Sequence, residues 1–241
     1  MYRSKRKIPQ EQKKEIEETL ARIKELFAKH RWLVCLDKTD WHGQRSTLHG
    51  IGPNPYGRVD RIMRIIYVDF QTDMLAMFIH QCLHALHPNM LERDVTILEL
   101  IIIENITPEQ AVELLRLMVI HSLQRLFSPD APIKTPLMLD IEQLFKTGHW
   151  LVFLDQLRGD TDLSMVYELG RWCCGFVEER VQILYIDFRE DLLSTFMHEA
   201  LHAIYPDAGE PEIRQRELAG MKEITPRQAQ CLLSLMLQNI Y

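Results

Sequence analysis

The chain lacks the features that would place it in a membrane. No run in its 241 residues approaches the roughly 18 consecutive apolar residues that a membrane-spanning helix needs. The most apolar segment, VTILELIIIENI, is interrupted by Glu99 and Glu104, and we expect it to form a buried helix. The basic N-terminal stretch MYRSKRKIPQEQKK runs into the charged EIEETLARIKELF instead of the apolar core of a signal peptide. These absences predict a soluble, cytoplasmic protein with no membrane partner.

An excess of positive charge is also missing. The chain has 28 Lys and Arg against 34 Asp and Glu, which gives a formal net charge of -6 at pH 7. It therefore has no overall basic field to attract nucleic acid, and we expect no nucleic-acid partner. Gly and Pro, at 10 and 11 residues, are too few for a disordered or fibrous chain, and 46% hydrophobic residues are typical of a globular protein.

Cysteines are few, and their pattern excludes two common uses. Their number is odd and their spacing is not that of a zinc ribbon, which favours a reducing compartment without a disulfide framework. The adjacent Cys173 and Cys174 could form a redox pair, but we interpret them as two ordinary thiols. The five residues are Cys35, Cys82, Cys173, Cys174 and Cys231.

A long internal repeat dominates what is present. His198 lies 118 positions after His80, and Trp150 lies 118 positions after Trp32, with no gap between these anchors. KELFAKHRWLVCLD corresponds to EQLFKTGHWLVFLD, IIYVDF to ILYIDF, and ENITPEQAVELLRLM to KEITPRQAQCLLSLM. Such a match indicates a duplication. We expect two similar domains, or two halves packed as an intramolecular pseudo-dimer.

The boundary and the order of elements can be predicted from turn residues and periodicity. SPDAPIKTP, residues 128–136, predicts a linker between a first repeat at 1–127 and a second repeat at 137–241. Each repeat should contain a leading amphipathic helix, a short strand, a variable stretch with further strands, another strand and three helices. The fold class is therefore α+β. Asp187 and Glu190 are spaced as a capping box for the helix that follows the last strand.

That helix in the second repeat contains the sequence HEALH. His198 and His202 are four residues apart, so both imidazoles lie on one helix face and can bind one metal ion. Glu199 is placed to take a proton from a metal-bound water. This is the His-Glu-x-x-His pattern of zinc peptidases. A third ligand must come from elsewhere, and Glu210 and Glu217 on the following helix both qualify by position.

The segment HEALHAIYPDAGEPEI, within roughly residues 180 to 220, resembles small zincin-type metallopeptidases of the gluzincin kind. In those proteins a strand precedes the motif helix, and a Glu followed three residues later by a small or apolar residue is the third ligand. Glu210 with Ile213 matches that pattern, so the resemblance implies Glu210 as the ligand and leaves Glu217 in reserve. It also implies zinc as the cofactor. A tandem arrangement departs from the single-domain family.

The first repeat carries HQCLH in place of HEALH. His80, His84 and Glu92 remain there as a possible second metal site, but Gln81 replaces the acid. An amide cannot accept a proton as a carboxylate does, so base catalysis in this repeat should be impaired. We therefore expect the first repeat to serve as a scaffold or substrate-recognition half.

Together these patterns predict a zinc-dependent metallopeptidase that acts on a protein or peptide substrate. Zinc would be bound by His198, His202 and Glu210, with Glu199 as general base. Two alternatives stay open: a non-catalytic binding or regulatory protein on a zincin scaffold, and a hydrolase that acts on a non-peptide amide. Two further side chains, Tyr205 and His149, would stabilise an oxyanion only if they face the metal.

Overall fold

The structure is a computed structural model that describes residues 9–37, 57–123, 134–157 and 174–241. Most of the segment predicted as a linker, at 128–133, lies outside the described residues, and its last residue, Pro136, already begins a helix. Cys173 also lies outside them. The other four cysteines are free thiols.

The described residues form eight helices and two three-stranded sheets, which confirms the α+β class. The first repeat contains, in order, α1 (Gln10–Ala28), β1 (Leu33–Asp37), β2 (Gly57–Asp60), β3 (Ile65–Asp69), α2 (Met74–Leu86), α3 (Glu92–Asn105) and α4 (Pro108–Ile120). The second contains α5 (Pro136–Gly148), β4 (Leu151–Asp155), β5 (Gly175–Glu178), β6 (Ile183–Asp187), α6 (Leu192–Ile204), α7 (Glu210–Glu223) and α8 (Pro226–Gln238). From the first strand of each repeat onward, each element of the second repeat begins and ends 118 positions after its counterpart.

Each sheet places its third strand in the middle. β1 runs parallel to β3 and β2 antiparallel to it, and β4, β6 and β5 repeat this arrangement. Alternate residues of the outer strand β4, such as Val152 and Leu154, are buried. Phe153, Tyr185 and Phe176 are aligned across the three strands of the second sheet, and Tyr185 packs between the two phenylalanine rings. Tyr185 is therefore a packed strand residue.

The motif helix α6 lies against this sheet and between α5 and α7. Phe196 on its buried side stacks on Phe145 of α5 with 5.7 Å between ring centroids, as Phe78 packs on Phe27 in the first repeat. Apolar packing on this side leaves the histidine side of α6 free to face the cleft. The helix is thus positioned by its core contacts, which stabilise it more than helix propensity does.

The predicted capping box at Asp187 is wrong. Helix α6 begins only at Leu192, with Asp191 as N-cap and no side-chain capping hydrogen bond. Asp187 is fully buried at the end of β6, where its carboxylate accepts hydrogen bonds from the Arg189 side chain and from the backbone N–H of Leu157. The acid therefore ties the loop after β4 to the loop before α6.

The two repeats contact each other through equivalent elements. Helices α4 and α8 contact one another, and each of them also contacts the first strand of the other repeat. The Gln71 side chain donates a hydrogen bond to the backbone carbonyl of Met221 at 2.9 Å, and Gln156 donates one to that of Ile106 at 3.2 Å. The buried apolar side chains of both repeats belong to one hydrophobic cluster.

Helix α3, from the most apolar segment of the sequence, is only partly buried. Val95, Ile102 and Ile103 lie in the core, whereas Ile97 and Leu100 are 46% and 52% exposed. The prediction of a buried helix is therefore confirmed for one side of α3 only. Among the helices that the structure describes, none combines the length and the apolar character needed to cross a bilayer.

The buried pair of Asp187 and Arg189 should contribute strongly to stability. An Arg189→Met variant should lose about 2–4 kcal/mol of unfolding free energy, because the Asp187 carboxylate would stay buried without its cation. Urea unfolding followed by circular dichroism measures this loss. Lys14→Met, which removes an exposed pair with Glu18, is the control and should change little. An equally small loss in the Arg189 variant would contradict the prediction.

Candidate metal centre

The two histidines of HEALH and one glutamate of the next helix converge on one point. The Nε2 atoms of His198 and His202 are 3.2 Å apart. Helix α7 begins at Glu210, whose carboxylate oxygens lie 3.3 Å from His198 Nε2 and 3.1 Å from His202 Nε2. The three ligand atoms all lie within 4.8 Å of one another, so the group could hold a metal ion.

Glu217, the alternative third ligand considered from the sequence, does not lie with the three converging atoms. Its Oε2 lies 2.9 Å from Nδ1 of His198, on the side of the ring that faces away from the three converging atoms. Its side chain is buried, whereas that of Glu210 is 66% exposed. The structure therefore brings Glu210 and not Glu217 to the two Nε2 atoms, and Glu217 holds the ring of His198.

Two neighbours keep the buried Glu217 ionised. Arg214 Nη1 donates hydrogen bonds to both of its oxygens, at 2.9 and 2.7 Å, and the Ser194 hydroxyl donates to Oε1. Burial alone would raise the pKa of Glu217. The hydrogen bonds from His198 and Ser194 and the charge of Arg214 lower this pKa by more than burial raises it, so the pKa of Glu217 lies below its usual value. The hydrogen bond to Glu217 in turn raises the pKa of His198.

This contact determines the tautomer of His198. An ionised carboxylate only accepts hydrogen bonds, so Nδ1 of His198 must carry the proton that is donated to Glu217. In the neutral ring, Nε2 then presents its lone pair to His202 and Glu210. Two imidazole nitrogens and a carboxylate directed at one point form a donor set suited to zinc and to other divalent transition metals.

Glu199 lies beside this group and is almost completely buried, with 6% of its surface exposed. Burial raises the pKa of Glu199 to about 7, and the nearby charge of His198 offsets this only in part. Within the part of the chain that the structure describes, no side chain donates a hydrogen bond to its carboxylate. Glu199 is therefore a buried acid with free acceptor atoms next to a candidate metal site.

A cleft of about 700 Å³ opens over these residues. Strand β5 forms one wall and α6 forms the floor, with Gly175 directly against Glu199. A Cβ atom at Gly175 would lie 2.8 Å from the Cγ of Glu199 and 2.8 Å from the Cγ2 of Thr195. A side chain here would displace Glu199, so the start of β5 must be glycine for the acid to occupy its position.

The first repeat preserves the metal-binding geometry. His80 Nε2 lies 3.1 Å from His84 Nε2 and 3.1 Å from Glu92 Oε1, and His84 Nε2 lies 2.9 Å from Glu92 Oε2. Glu99 holds Nδ1 of His80 at 2.7 Å, as Glu217 holds His198. His80, His84 and Glu92 could therefore hold a second metal ion.

The surroundings of this first group differ from those of the second. Gln81 replaces Glu199, and its amide lies 3.8 Å from the Met77 sulfur, where the second repeat has Thr195. Ala76 and Thr96 occupy the positions of Ser194 and Arg214, so neither of those two supports is present. The first repeat thus keeps the ligands and changes the groups around them.

Two other side chains considered from the sequence do not line the described cleft. The Tyr205 hydroxyl is 3.4 Å from Asp140, and Arg216 lies over the Tyr205 ring. His149 ends α5 in a left-handed backbone conformation. The sequence interpretation also missed Ser194 and Arg214, whose contribution depends on contacts between α6 and α7 that no local motif reveals.

No protein-family model, no curated protein and no solved structure matches this chain. The functional interpretation therefore rests on the geometry of the site.

Glu217→Gln should weaken zinc binding by the second repeat about 10- to 100-fold, because an amide holds the His198 ring less firmly in its tautomer and orientation. Competition against a chromogenic chelator measures the affinity, in protein whose first site is removed by His80→Ala and His84→Ala.

The matched control is Glu212→Gln on the same helix, an exposed residue paired with Arg216, which should bind zinc normally. Glu210→Ala should weaken binding more than Glu217→Gln does. The opposite order would mean that Glu217 is the ligand.

Burial of Glu199 should also destabilise the metal-free protein at high pH. Its folded pKa of about 7 lies above the ordinary glutamate pKa of 4.5, so folding stability falls as pH rises from 4.5 to 7 and stays low above that range. With chelator present, Glu199→Gln should therefore be more stable than wild type by about 1–3 kcal/mol at about pH 8, and the gain should vanish near pH 4. Urea unfolding at several pH values tests this, and a gain that is independent of pH would contradict it.

Proposed function

We propose that this protein is a zinc-dependent metallopeptidase whose active site lies in the second repeat. The observation that carries the proposal is the convergence of His198, His202 and Glu210 beside the buried carboxylate of Glu199, at the floor of an open cleft. A pair of histidines alone would not support it. A metal-binding group, an acid with free acceptor atoms and space for a substrate occur here together.

The residues fit zinc. Two imidazole nitrogens and one carboxylate leave a coordination position open, as in catalytic zinc sites. When bound, zinc supplies Lewis-acid chemistry, which polarises a carbonyl group and lowers the pKa of water toward about 7.

The protein's own groups would do the rest of the chemistry. The Glu199 carboxylate accepts a proton from the attacking water and passes it to the nitrogen of the leaving amine. Its burial beside His198 limits competing hydrogen bonds from solvent. Glu217, supported by Ser194 and Arg214, keeps His198 in one tautomer and one orientation.

The cleft favours a peptide as the substrate. It is open, has a volume of about 700 Å³ and is lined by β5 and α6 beside Glu199, so it has space for a peptide segment. Together with the zincin resemblance of the sequence, this favours a peptide over a small non-peptide amide.

The first repeat supports a second, non-catalytic role. Its three ligands converge in the same way, but Gln81 lies where the base would be. We assign it as a scaffold or recognition half that can bind a metal without hydrolysis. A protein in which both repeats act only in binding or regulation is the alternative, and the preserved ligands of the first repeat are the observation that favours it.

The Glu199→Gln variant should bind zinc at the second site as wild type does and lose activity by at least about 100-fold, because the amide cannot take up the proton. Elemental analysis and cleavage of an unstructured protein measure the two properties. A His198→Ala, His202→Ala double variant, as control, should lose one zinc per chain and all activity.

Cleavage by Glu199→Gln at the wild-type rate would exclude this mechanism. Wild-type protein that binds zinc at both sites and cleaves no peptide would favour the binding role.

A further inference from the structure

The cleft that contains the candidate active site is strongly acidic. Its described lining includes six carboxyl side chains, those of Glu179, Glu190, Asp191, Glu199, Glu210 and Glu217, against one guanidinium, that of Arg214. Arg214 is occupied by Glu217, at 2.7 and 2.9 Å. Glu210 and Glu199 belong to the metal-binding group and its neighbouring base. The other three acids, Glu179, Glu190 and Asp191, are called the rim acids below, and they have no role in the metal-binding group described above.

These rim acids come from two separate segments that line the cleft. Glu179 is exposed in the turn that joins β5 to β6. Glu190 and Asp191 precede the first residue of α6, and Asp191 is hydrogen-bonded to the carboxyl group of Asp73. A peptide that occupies the cleft over His198 would therefore meet carboxylates from both segments.

The first repeat shows that the fold does not require acids at two of these three positions, whereas Asp73 keeps an acid at the position of Asp191. Arg61 occupies the position of Glu179, and Thr72 that of Glu190. Arg61 donates hydrogen bonds to the backbone carbonyls of His84 and Pro88, at 3.1 and 3.4 Å, at the end of its motif helix. This one turn position thus carries opposite charges in the two repeats, although Arg180 follows Glu179 directly, and the acid occurs in the repeat that has the base.

We infer that the second repeat selects basic peptides, and that Glu179 is a specificity-determining residue that contacts a lysine or arginine side chain next to the scissile bond. This inference rests on the proposed peptidase function. A carboxylate at the mouth of a cleft attracts a cation while remaining solvated, so Glu179 does not need to be buried. Because the contact is exposed to solvent, the preference should weaken as salt is added.

The test uses zinc-loaded full-length protein and three quenched fluorescent peptides. They share one uncharged sequence and differ only in flanking residues, which are lysine, glutamine or glutamate. The lysine peptide should have a kcat/KM about tenfold above that of the glutamine peptide at low salt, and the glutamate peptide should be the poorest substrate.

Glu179→Gln should reduce the lysine preference several-fold, and Glu179→Arg, which introduces the residue of the first repeat, should reverse it. Glu223→Gln, an exposed acid at the far end of α7, is the matched control and should keep the wild-type preference. Unfolding curves for each variant verify that the fold is intact.

A binding measurement separates this inference from the peptidase proposal. Fluorescence anisotropy with zinc-loaded Glu199→Gln reports the affinity for the same peptides without cleavage. Tighter binding of the lysine peptide, lost in the Glu179→Gln, Glu199→Gln double variant, supports the inference even if wild type cleaves nothing. Equal rates and equal affinities for all three peptides would overturn it, while cleavage itself would leave the peptidase proposal standing.

Discussion

Three electron-rich atoms that face one another repel unless a positive charge lies between them. In the second repeat these atoms belong to His198, His202 and Glu210, and the surrounding structure holds them together. Glu217 retains the proton of His198 on the far side of the ring, and Arg214 balances the charge of Glu217. All of these contacts depend on one arrangement, in which the motif helix is packed between its sheet and helix α7. A group preorganised in this way could hold a cation with little further cost of ordering its ligands.

The duplication allows the two sites to be compared within one fold. Ligand distances differ by only a few tenths of an ångström between the repeats, although the sequences around them have diverged. What differs is the set of side chains around the ligands: the first repeat lacks the acid, the arginine and the serine of the second, and has a methionine beside its glutamine. The candidate metal ligands and the neighbouring acid are therefore separate features of this fold, since the ligands come from helix faces and the position of Glu199 depends on the space left by Gly175 of β5.

The parts of this structure that follow local periodicity were predictable. The 118-residue offset, the strand before each motif helix and the starts of α7 and α8 at Glu210 and Pro226 all follow from spacing and turn residues. Long-range contacts were not predictable. Asp187 and Glu190 have the spacing of a capping box, yet the helix begins only at Leu192. Asp187 instead accepts a hydrogen bond from the backbone N–H of Leu157, 30 residues earlier in the chain, as well as from the nearby Arg189. Sequence spacing placed Glu217 on the correct helix face, but only the packing of α7 on α6 shows which nitrogen of His198 it meets.

The reciprocal contact between the last helix of each repeat and the first strand of the other has a consequence for folding. Helix α8 packs on β1, so two segments separated by roughly 190 residues must meet before the first repeat is fully enclosed. During synthesis β1 and its sheet emerge from the ribosome long before α8 does, and their apolar side stays uncovered for that interval. The contacts between the two repeats therefore form late in folding, and they complete the cores of both repeats together. Because the two repeats share one hydrophobic cluster, we expect the duplicated chain to unfold as one cooperative unit, in which damage to the core of either half destabilises both.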